Sequence, residues 1–191
     1  KLCKKAVAVE VNGVEQDLCI PIVDGSLVRV LTTQDPEGLD VMRHTLTAQV
    51  LARAIQEEFP GSKLAIGPTI ENGFYYDVES STPISIDDLP KIEARMHKIL
   101  GEHSSINRVA TPRDEAIQTF ADRDEHYKVE ILEGAADQES FPLYHQGDSG
   151  FVDLCRGPHL PTLNLIPKDA FKLTKVAGAY WRGDANNKML T

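Results

Sequence analysis

The sequence predicts an α+β fold, and two observations lead to this class. Segments with alternating apolar residues, typical of strands, are mixed with segments in which apolar residues recur every three or four positions, typical of helices. These segments follow no regular strand–helix–strand rhythm, so a doubly wound parallel sheet is not expected. No segment approaches the roughly 18 uninterrupted apolar residues that a membrane-spanning helix requires, so no membrane contact is expected.

Three short strands are predicted at the start of the chain. Residues 6–11 and 14–20 flank Asn12 and Gly13, a pair that readily supplies the positive φ angles of a tight hairpin turn. A third alternating segment covers residues 27–32. Three strands of this length predict a thin sheet that precedes the main body of the chain.

A long helix is predicted next. Asp35 can cap its amino end, and Pro36 suits the first turn because a proline there loses no helical hydrogen bond. Apolar residues then recur at helical spacing to about Phe59, where Pro60 and Gly61 end the pattern.

A second hairpin and two further helices are predicted in the middle of the chain. Residues 63–79 contain two apolar runs around a turn at residues 71–73. A helix follows a cap at Ser85 or Asp87, and residues 111–114 open a shorter one.

The final third is predicted to form strands joined by turns. The strand-like segments are LYHQG, GFVDLC and FKLTKVAGAYWRG.

The charge distribution points to one region for contact with phosphate. The net charge is −9, which disfavours nonspecific binding to nucleic acid. Residues 168–188 nevertheless carry five basic and two acidic residues, with Tyr180 and Trp181 between them. Such a basic, aromatic segment is typical of a phosphate-backbone contact, and a solvated strand of mixed charge is the alternative.

The cysteines indicate a reducing compartment. Cys3, Cys19 and Cys155 are odd in number and widely spaced, which argues against a disulfide framework. No basic segment followed by an apolar one opens the sequence, so no secretion signal is expected. We therefore expect a cytoplasmic protein.

The segment VDLCRGPHL raises three interpretations of Cys155 and His159. Zinc needs three or four ligands, and His44 is the only further candidate that the spacing suggests. A thiolate nucleophile is disfavoured because Asp153, two residues away, would raise the thiol pKa. A half-buried cysteine and a turn histidine without chemistry are the third interpretation.

Five stretches together resemble the amino-terminal region of bacterial-type threonyl-tRNA synthetases. They run in that family's order between residues 35 and 190, and they are DPEGLDVMRH, KLAIGPTIENGFYYDV, FADRDEHYKVEIL, VDLCRGPHLP and KLTKVAGAYWRGDANNKML. The resemblance implies that residues 1–33 are the carboxyl-terminal part of the small β-grasp domain called TGS. It implies that residues 34–191 are a two-layer α+β editing domain.

The activity implied by the resemblance is hydrolysis of mischarged Ser-tRNA(Thr) to serine and tRNA(Thr) by water attack on the aminoacyl ester. A synthetic site for threonine rejects serine poorly, because a missing methyl group is worth only ~1–3 kcal/mol of discrimination. The implied partners are the acceptor end of tRNA(Thr) and the rest of the synthetase. No cofactor and no aminoacylation are expected of this region.

The resemblance also implies roles for individual residues. The catalytic candidates are His159, Lys128, His44 and Cys155. The substrate-binding candidates are Asp153, Tyr76, Gln49 and Arg156. The tRNA-binding candidates come instead from the basic segment described above, and they are Lys168, Lys172, Lys175 and Arg182.

Each carried-over role has a chemical reason. His159 suits proton transfer near neutral pH, because its reference pKa is about 6.5. Lys128 could position water, share the proton if burial lowers its pKa, or offset developing negative charge as a cation. Asp153 could bind the free α-ammonium group, Tyr76 could line the pocket, and Cys155 shapes it rather than attacking.

The sequence departs from the family in the helix after residue 36. The family carries His-x-x-x-His, whereas here His44 is followed by Ala48 at the fourth position and Gln49 at the fifth. A five-residue separation rotates the second side chain by about 140° on an α-helix, unless the helix unwinds or bulges. The departure makes a metal site less credible, and we expect none. Two alternatives to an active editing hydrolase are a zinc-dependent hydrolase and a tRNA-binding appendage with weakened or lost editing.

Overall fold

The computed structural model describes residues 4–191, and Cys3 therefore lies outside the described residues. Helices and small antiparallel sheets are mixed along the chain, which confirms the predicted α+β class. No helix within residues 4–191 is long and apolar enough to cross a membrane.

The amino-terminal sheet has the strand order β2-β1-β3. Its strands are β1 (Ala6–Val11), β2 (Val14–Gln16) and β3 (Val28–Thr32), and both neighbours of β1 are antiparallel to it. Asn12 and Gly13 have φ angles of 53° and 83°, as the predicted tight turn requires. The hairpin is confirmed, although β2 ends four residues earlier than predicted.

The long helix is present, but its middle is wider than an α-helix. It consists of α1 (Pro36–Thr45), a π-helical segment (Leu46–Leu51) and α2 (Ala52–Glu58). The backbone N–H of Ala52 donates to the carbonyl of Thr47, five residues earlier. A bond of this span encloses one more residue than an α-helical bond, so the helix bulges here without breaking.

The second hairpin is also confirmed. Its outer pair is β4 (Lys63–Leu64) with β7 (Val78–Glu79), and its inner pair is β5 (Thr69–Ile70) with β6 (Gly73–Phe74). The helix predicted after it begins with a 3-10 turn that is capped reciprocally by Ser85 and Asp88.

Three helices and a second three-stranded sheet follow. The helices are α3 (Leu89–Gly101), α4 (Arg113–Ala121) and α5 (His126–Gly134). The strands are β8 (Ile106–Pro112), β9 (Ser140–Gln146) and β10 (Val152–Leu154), in the order β10-β9-β8. The pairing places Asp153 of β10 opposite Tyr144 of β9.

The carboxyl-terminal segment differs from the prediction. Only β11 (Ala179–Tyr180) and β12 (Met189–Leu190) pair, and residues 171–178 are extended without a strand partner. Phe171 and Leu173 pack against the main core, and the N–H of Leu173 donates to the side chain of Glu93. The predicted strand over FKLTKV was therefore wrong, because its apolar side chains contact the core while its backbone bonds elsewhere.

One apolar core connects the amino-terminal sheet with the helices. Val7, Ala8 and Leu31 belong to the same buried cluster as Val41 and Leu46. The assignment of residues 1–33 to a TGS remnant and the boundary at residue 34 stay predictions.

Candidate active site

A cavity of about 740 Å³ lies where the long helix, the second hairpin, α5 and the loop after β10 meet. Six of the predicted site residues line it: His44, Tyr76, Lys128, Asp153, Cys155 and Arg156. This size suits a ligand of several tens of atoms. The cavity is therefore the candidate site for chemistry.

One wall of the cavity is formed by a hydrogen-bonded group that we call the lysine cluster: Lys128, Asp153 and Tyr76. Lys128 Nζ lies 2.7 Å from Asp153 Oδ1 and donates to Tyr76 Oη at 2.9 Å. Tyr76 Oη donates to Asp153 Oδ2 at 3.3 Å. Lys128 and Asp153 are 3% and 1% exposed, so this ion pair is held away from bulk water.

The lysine cluster keeps Lys128 charged. Burial alone would lower the pKa of Lys128, but the adjacent Asp153 carboxylate and the Tyr76 phenol together raise it above its usual value. The sequence-based option that a lowered pKa lets Lys128 share the proton was therefore wrong. An ammonium group has three N–H donors, so after Asp153 and Tyr76 one remains for a substrate oxygen.

Most hydrogen-bond acceptor positions of the Asp153 carboxylate are occupied by groups of the protein itself. Its Oδ1 accepts from Lys128 and from the N–H of Leu154, and its Oδ2 accepts from Tyr76. A carboxylate offers about four acceptor positions, so one remains on Oδ2. Binding of an α-ammonium group by Asp153 stays a prediction that depends on this position.

A second group, which we call the imidazole cluster, consists of His44 and Cys155, which line the cavity, and His159, which does not. His44 Nε2 lies 2.7 Å from Cys155 Sγ, and the rings of His44 and His159 are 4.4 Å apart. Burial raises the pKa of Cys155 to about 12, with Asp153 acting in the same direction. A neutral thiol is a poor nucleophile, which agrees with a shaping role for Cys155.

Both histidines of the imidazole cluster are neutral at pH 7. Burial lowers the pKa of His44, although the Pro158 carbonyl and the carboxylates of Asp153 and Asp17 oppose this. The pKa of His159 is lowered well below its usual value by burial and by His44. Neutral imidazole can accept a proton, so the protonation state suits a base.

The hydrogen bonds of Thr45 fix the tautomer of His159. Thr45 Oγ1 donates its single proton to the carbonyl of Val41 and accepts from the N–H of Leu160. His159 Nδ1, at 3.1 Å, must therefore carry the proton that it shares with Thr45 Oγ1. The lone pair of His159 is left on Nε2, a buried atom without a partner among the described residues.

His159 lies behind the cavity wall and not in it. Its side chain is 2% exposed and does not line the cavity, whereas His44 does. The residue assigned to proton transfer is therefore separated from a substrate by the His44 ring. Of the two histidines, His44 is the one that a substrate can reach.

Gln49 does not reach the cavity either. Ala48 lines it, four residues after His44, while Gln49 is fully buried in the π-helical segment. Its carbonyl accepts from the Gln146 side chain, and its own amide atoms have no partner within residues 4–191. The widened helix therefore does not bring Gln49 to the position expected of a substrate-binding residue.

Comparisons with known proteins identify the region. Residues 143–191 match the family described as "Threonyl and Alanyl tRNA synthetase second additional domain". The chain is 47% identical over 190 residues to a threonine–tRNA ligase of Brucella canis, and 46% identical to those of a Chelativorans species and Rhizobium johnstonii. Over its whole length the chain is similar to one part of these threonine–tRNA ligases. Each alignment covers all of this chain and 28% of the relative, so the chain spans little more than a quarter of those threonyl-tRNA synthetases.

The basic residues predicted to bind tRNA do not line the cavity. Lys172 pairs with Glu93 at 2.7 Å and Arg182 with Glu130 at 3.0 Å. The remaining two candidates, Lys168 and Lys175, are exposed. Arg156 is the basic side chain that is both exposed and at the cavity.

Two glycines allow the backbone to lie in close contact with tyrosine side chains at the site. A Cβ on Gly67 would lie 2.3 Å from a ring atom of Tyr76. A Cβ on Gly157 would lie 1.9 Å from Tyr144 Oη, and Gly157 has a φ of 73° that disfavours other residues. A side chain at either position would displace a residue that supports the site.

The imidazole cluster is also the one group within residues 4–191 that could hold a metal ion. Its ligand atoms lie within 4.8 Å of one another, and the free Nε2 of His159 suits a metal bond. The expectation of a metal-free site stays a prediction.

Three residues that sequence reasoning missed support His159. They are Asp17, Thr45 and Tyr144, and each contacts the backbone or the ring of His159. No local pattern marks Asp17, because its partners Tyr144 and His159 lie 127 and 142 residues later in the chain.

Proposed function

We propose that the chain hydrolyses the ester of serine mischarged onto tRNA(Thr). The observation that carries this proposal is that a charged Lys128 and a neutral His44 line the same cavity. Ester hydrolysis needs a proton acceptor for water and a positive group for the developing oxyanion. Similarity over the whole chain to threonine–tRNA ligases supports the substrate class.

The proposed reaction uses water as the nucleophile. The water oxygen bonds to the ester carbonyl carbon while His44 Nε2 takes one of its protons, in place of the hydrogen bond that it accepts from the neutral Cys155 thiol. The free N–H of Lys128 stabilises the oxyanion, and no proton leaves the ammonium group. Collapse of the tetrahedral intermediate breaks the bond to the ribose oxygen, which takes the proton back from His44 and leaves serine and tRNA(Thr).

The substrate is oriented by the lysine cluster in this proposal. The α-ammonium group takes the remaining acceptor position of Asp153 Oδ2, and Tyr76 packs beside the seryl group. The proposal requires that this arrangement leave no room for the threonine methyl group. We assign Arg156, Lys168 and Lys175 to phosphates near the acceptor end, since their side chains are exposed.

The proposal assigns no metal to the reaction, because Lys128 already supplies a cation beside the cavity. Metal analysis of the purified chain and dialysis against a chelator test this assignment. Stoichiometric zinc together with a chelator-sensitive rate would instead favour the zinc-dependent alternative.

The decisive experiment follows the decay of Ser-tRNA(Thr) and Thr-tRNA(Thr) with the chain and in buffer alone. We expect faster loss of the seryl ester only, and a strong loss of this rate in His44→Ala. His97→Ala is the matched control, because His97 is an exposed histidine outside the cavity. Equal lifetimes of both esters with and without the chain would contradict the proposal.

A tRNA-binding role without catalysis is the second candidate. It is favoured by Ala48, which leaves the cavity without a second histidine on the helix. This role predicts that tRNA affinity persists while His44→Ala has no effect on ester lifetime. The same assay therefore separates the two functions.

A further inference from the structure

The residue that follows the amino-terminal hairpin, Asp17, places a buried carboxylate next to His159 of the imidazole cluster. Asp17 follows directly after β2 and is 6% exposed, whereas Leu18 beside it is 39% exposed. A buried carboxylate is costly unless hydrogen bonds compensate it. Asp17 has that compensation: Oδ1 accepts from the N–H of His159 at 2.9 Å, and Oδ2 accepts from Tyr144 Oη at 2.8 Å.

Arg108 Nε also lies 3.6 Å from Asp17 Oδ2, and the two hydrogen-bond partners of Asp17 act on the loop that carries the site. Tyr144 presents its ring edge to the His159 imidazole, with centroids 4.5 Å apart. Its hydroxyl lies directly against Gly157, where no Cβ fits. Asp17 therefore fixes the loop at two points, at residue 157 through Tyr144 and at residue 159 directly.

The loop in turn fixes the side chains at the cavity. His159 packs on the ring of His44, and His44 contacts Cys155 at the start of the same loop. A shift of the loop would move His44 relative to a substrate. Misplacement of a reacting group by about 1 Å can cost on the order of a hundredfold in rate.

We propose that Asp17 is a positioning residue for the hydrolytic site, supplied by the amino-terminal sheet. The proposal rests on the proposed function. Asp17 does not line the cavity, so it acts through His159 and Tyr144 without touching substrate. The amino-terminal hairpin is thereby a structural component of the site.

The test compares three variants in the Ser-tRNA(Thr) assay. Asp17→Ala removes both hydrogen bonds, and we expect kcat to fall by about 10- to 100-fold with KM little changed. Asp17→Asn can still accept from His159 and can donate to the Tyr144 oxygen, so it should restore most of kcat. Tyr144→Phe removes one bond and should have an intermediate effect.

Asp24→Ala is the matched control, because Asp24 is an exposed aspartate of the same sheet region that bonds only to Gly25. It should leave kcat unchanged. A folded Asp17→Ala with wild-type kcat would overturn the proposal, as would an equal loss in Asp24→Ala. If Asp17→Ala does not fold, Asp17→Asn and Tyr144→Phe decide: wild-type kcat in Tyr144→Phe would overturn the proposal.

A second measurement does not depend on activity. The backbone amide of His159 is bonded to a carboxylate, so its proton resonance should move strongly in Asp17→Ala and stay in place in Asp24→Ala. If the wild-type chain fails to hydrolyse Ser-tRNA(Thr) but this resonance moves as expected, the proposed function fails while the positioning contact holds. An unmoved resonance would overturn the positioning role itself.

Discussion

The lysine cluster and the imidazole cluster are both buried, yet their basic groups differ in protonation. In the lysine cluster the ammonium group of Lys128 stays protonated, because Asp153 lies 2.7 Å away. In the imidazole cluster neither ring bonds to a carboxylate within residues 4–191, and burial lowers the pKa of both histidines. Burial alone therefore does not decide protonation at this cavity. A bonded counter-charge decides it, and the result is a fixed cation and a neutral base at one site.

The largest expected effect comes from breaking the lysine cluster. Lys128→Met leaves the Asp153 carboxylate buried without a counter-charge, which should reduce the free energy of unfolding by about 3–5 kcal/mol. Loss of the cation should also reduce the rate of seryl-ester hydrolysis by roughly 100- to 1,000-fold. Urea unfolding and the deacylation assay measure the two effects.

Two variants control this experiment. Lys188→Met removes a lysine that is 61% exposed and 3.1 Å from Glu79, and it should cost about 0–1 kcal/mol. In Lys128→Met/Asp153→Leu the unpaired charge is gone, so stability should recover while hydrolysis does not. An unfolding free energy for Lys128→Met that equals that of Lys188→Met would show that the buried pair is not as isolated from water as its exposure indicates.

The lysine cluster also shows how far sequence reasoning could go. Lys128, Asp153 and Tyr76 were predicted as site residues only through the family resemblance. Their approach depends on α5, a helix that periodicity did not reveal because its buried face includes Lys128 itself. A buried lysine interrupts the apolar pattern from which a helix is predicted.

The imidazole cluster was predicted less well, for a different reason. The spacing after His44 predicted either a rotated side chain at Gln49 or a bulge in the helix, and the structure has the bulge. Which of the two forms depends on packing, here on the contact between the Gln49 carbonyl and Gln146. The burial of His159 depends on Thr45 and on Tyr144, and Thr45 lies 114 residues away in sequence. Local patterns contain no information about such contacts.

The next largest effect is a pH dependence of the free energy of unfolding, which tests whether His159 of the imidazole cluster is neutral. The folded pKa of His159 lies well below 6.5, whereas an unfolded histidine titrates near 6.5. Below pH 6.5 the unfolded chain therefore binds more protons than the folded one, so stability falls as pH falls. His159 should contribute a loss of about 1.4 kcal/mol per pH unit, down to its folded pKa.

Urea unfolding at pH 7.5, 6.5 and 5.5 measures this slope. In His159→Asn the side-chain amide can still donate to Thr45, but nothing titrates, so the decline below pH 6.5 should become shallower. His97→Asn removes an exposed histidine and should leave the slope as it is in the wild type. Parallel curves for the wild type and His159→Asn would mean that His159 is protonated to the same extent in both states.

The smallest effect concerns the residue that separates this chain from the family pattern. Gln49 is fully buried, and its Oε1 and Nε2 have no partner within residues 4–191. An unsatisfied buried amide costs about 1–3 kcal/mol, so the nearly isosteric Gln49→Met should raise the free energy of unfolding by about 1 kcal/mol. Because Gln49 does not line the cavity, the seryl-ester rate should not change.

Gln146→Met is the contrasting variant. The Gln146 side chain bonds both the Gln49 carbonyl and Arg53, so the same substitution there should destabilise the fold. A Gln49→Met variant that is no more stable but hydrolyses the ester more slowly would place the Gln49 amide in contact with substrate or its water, and the imidazole cluster would then need a fourth member.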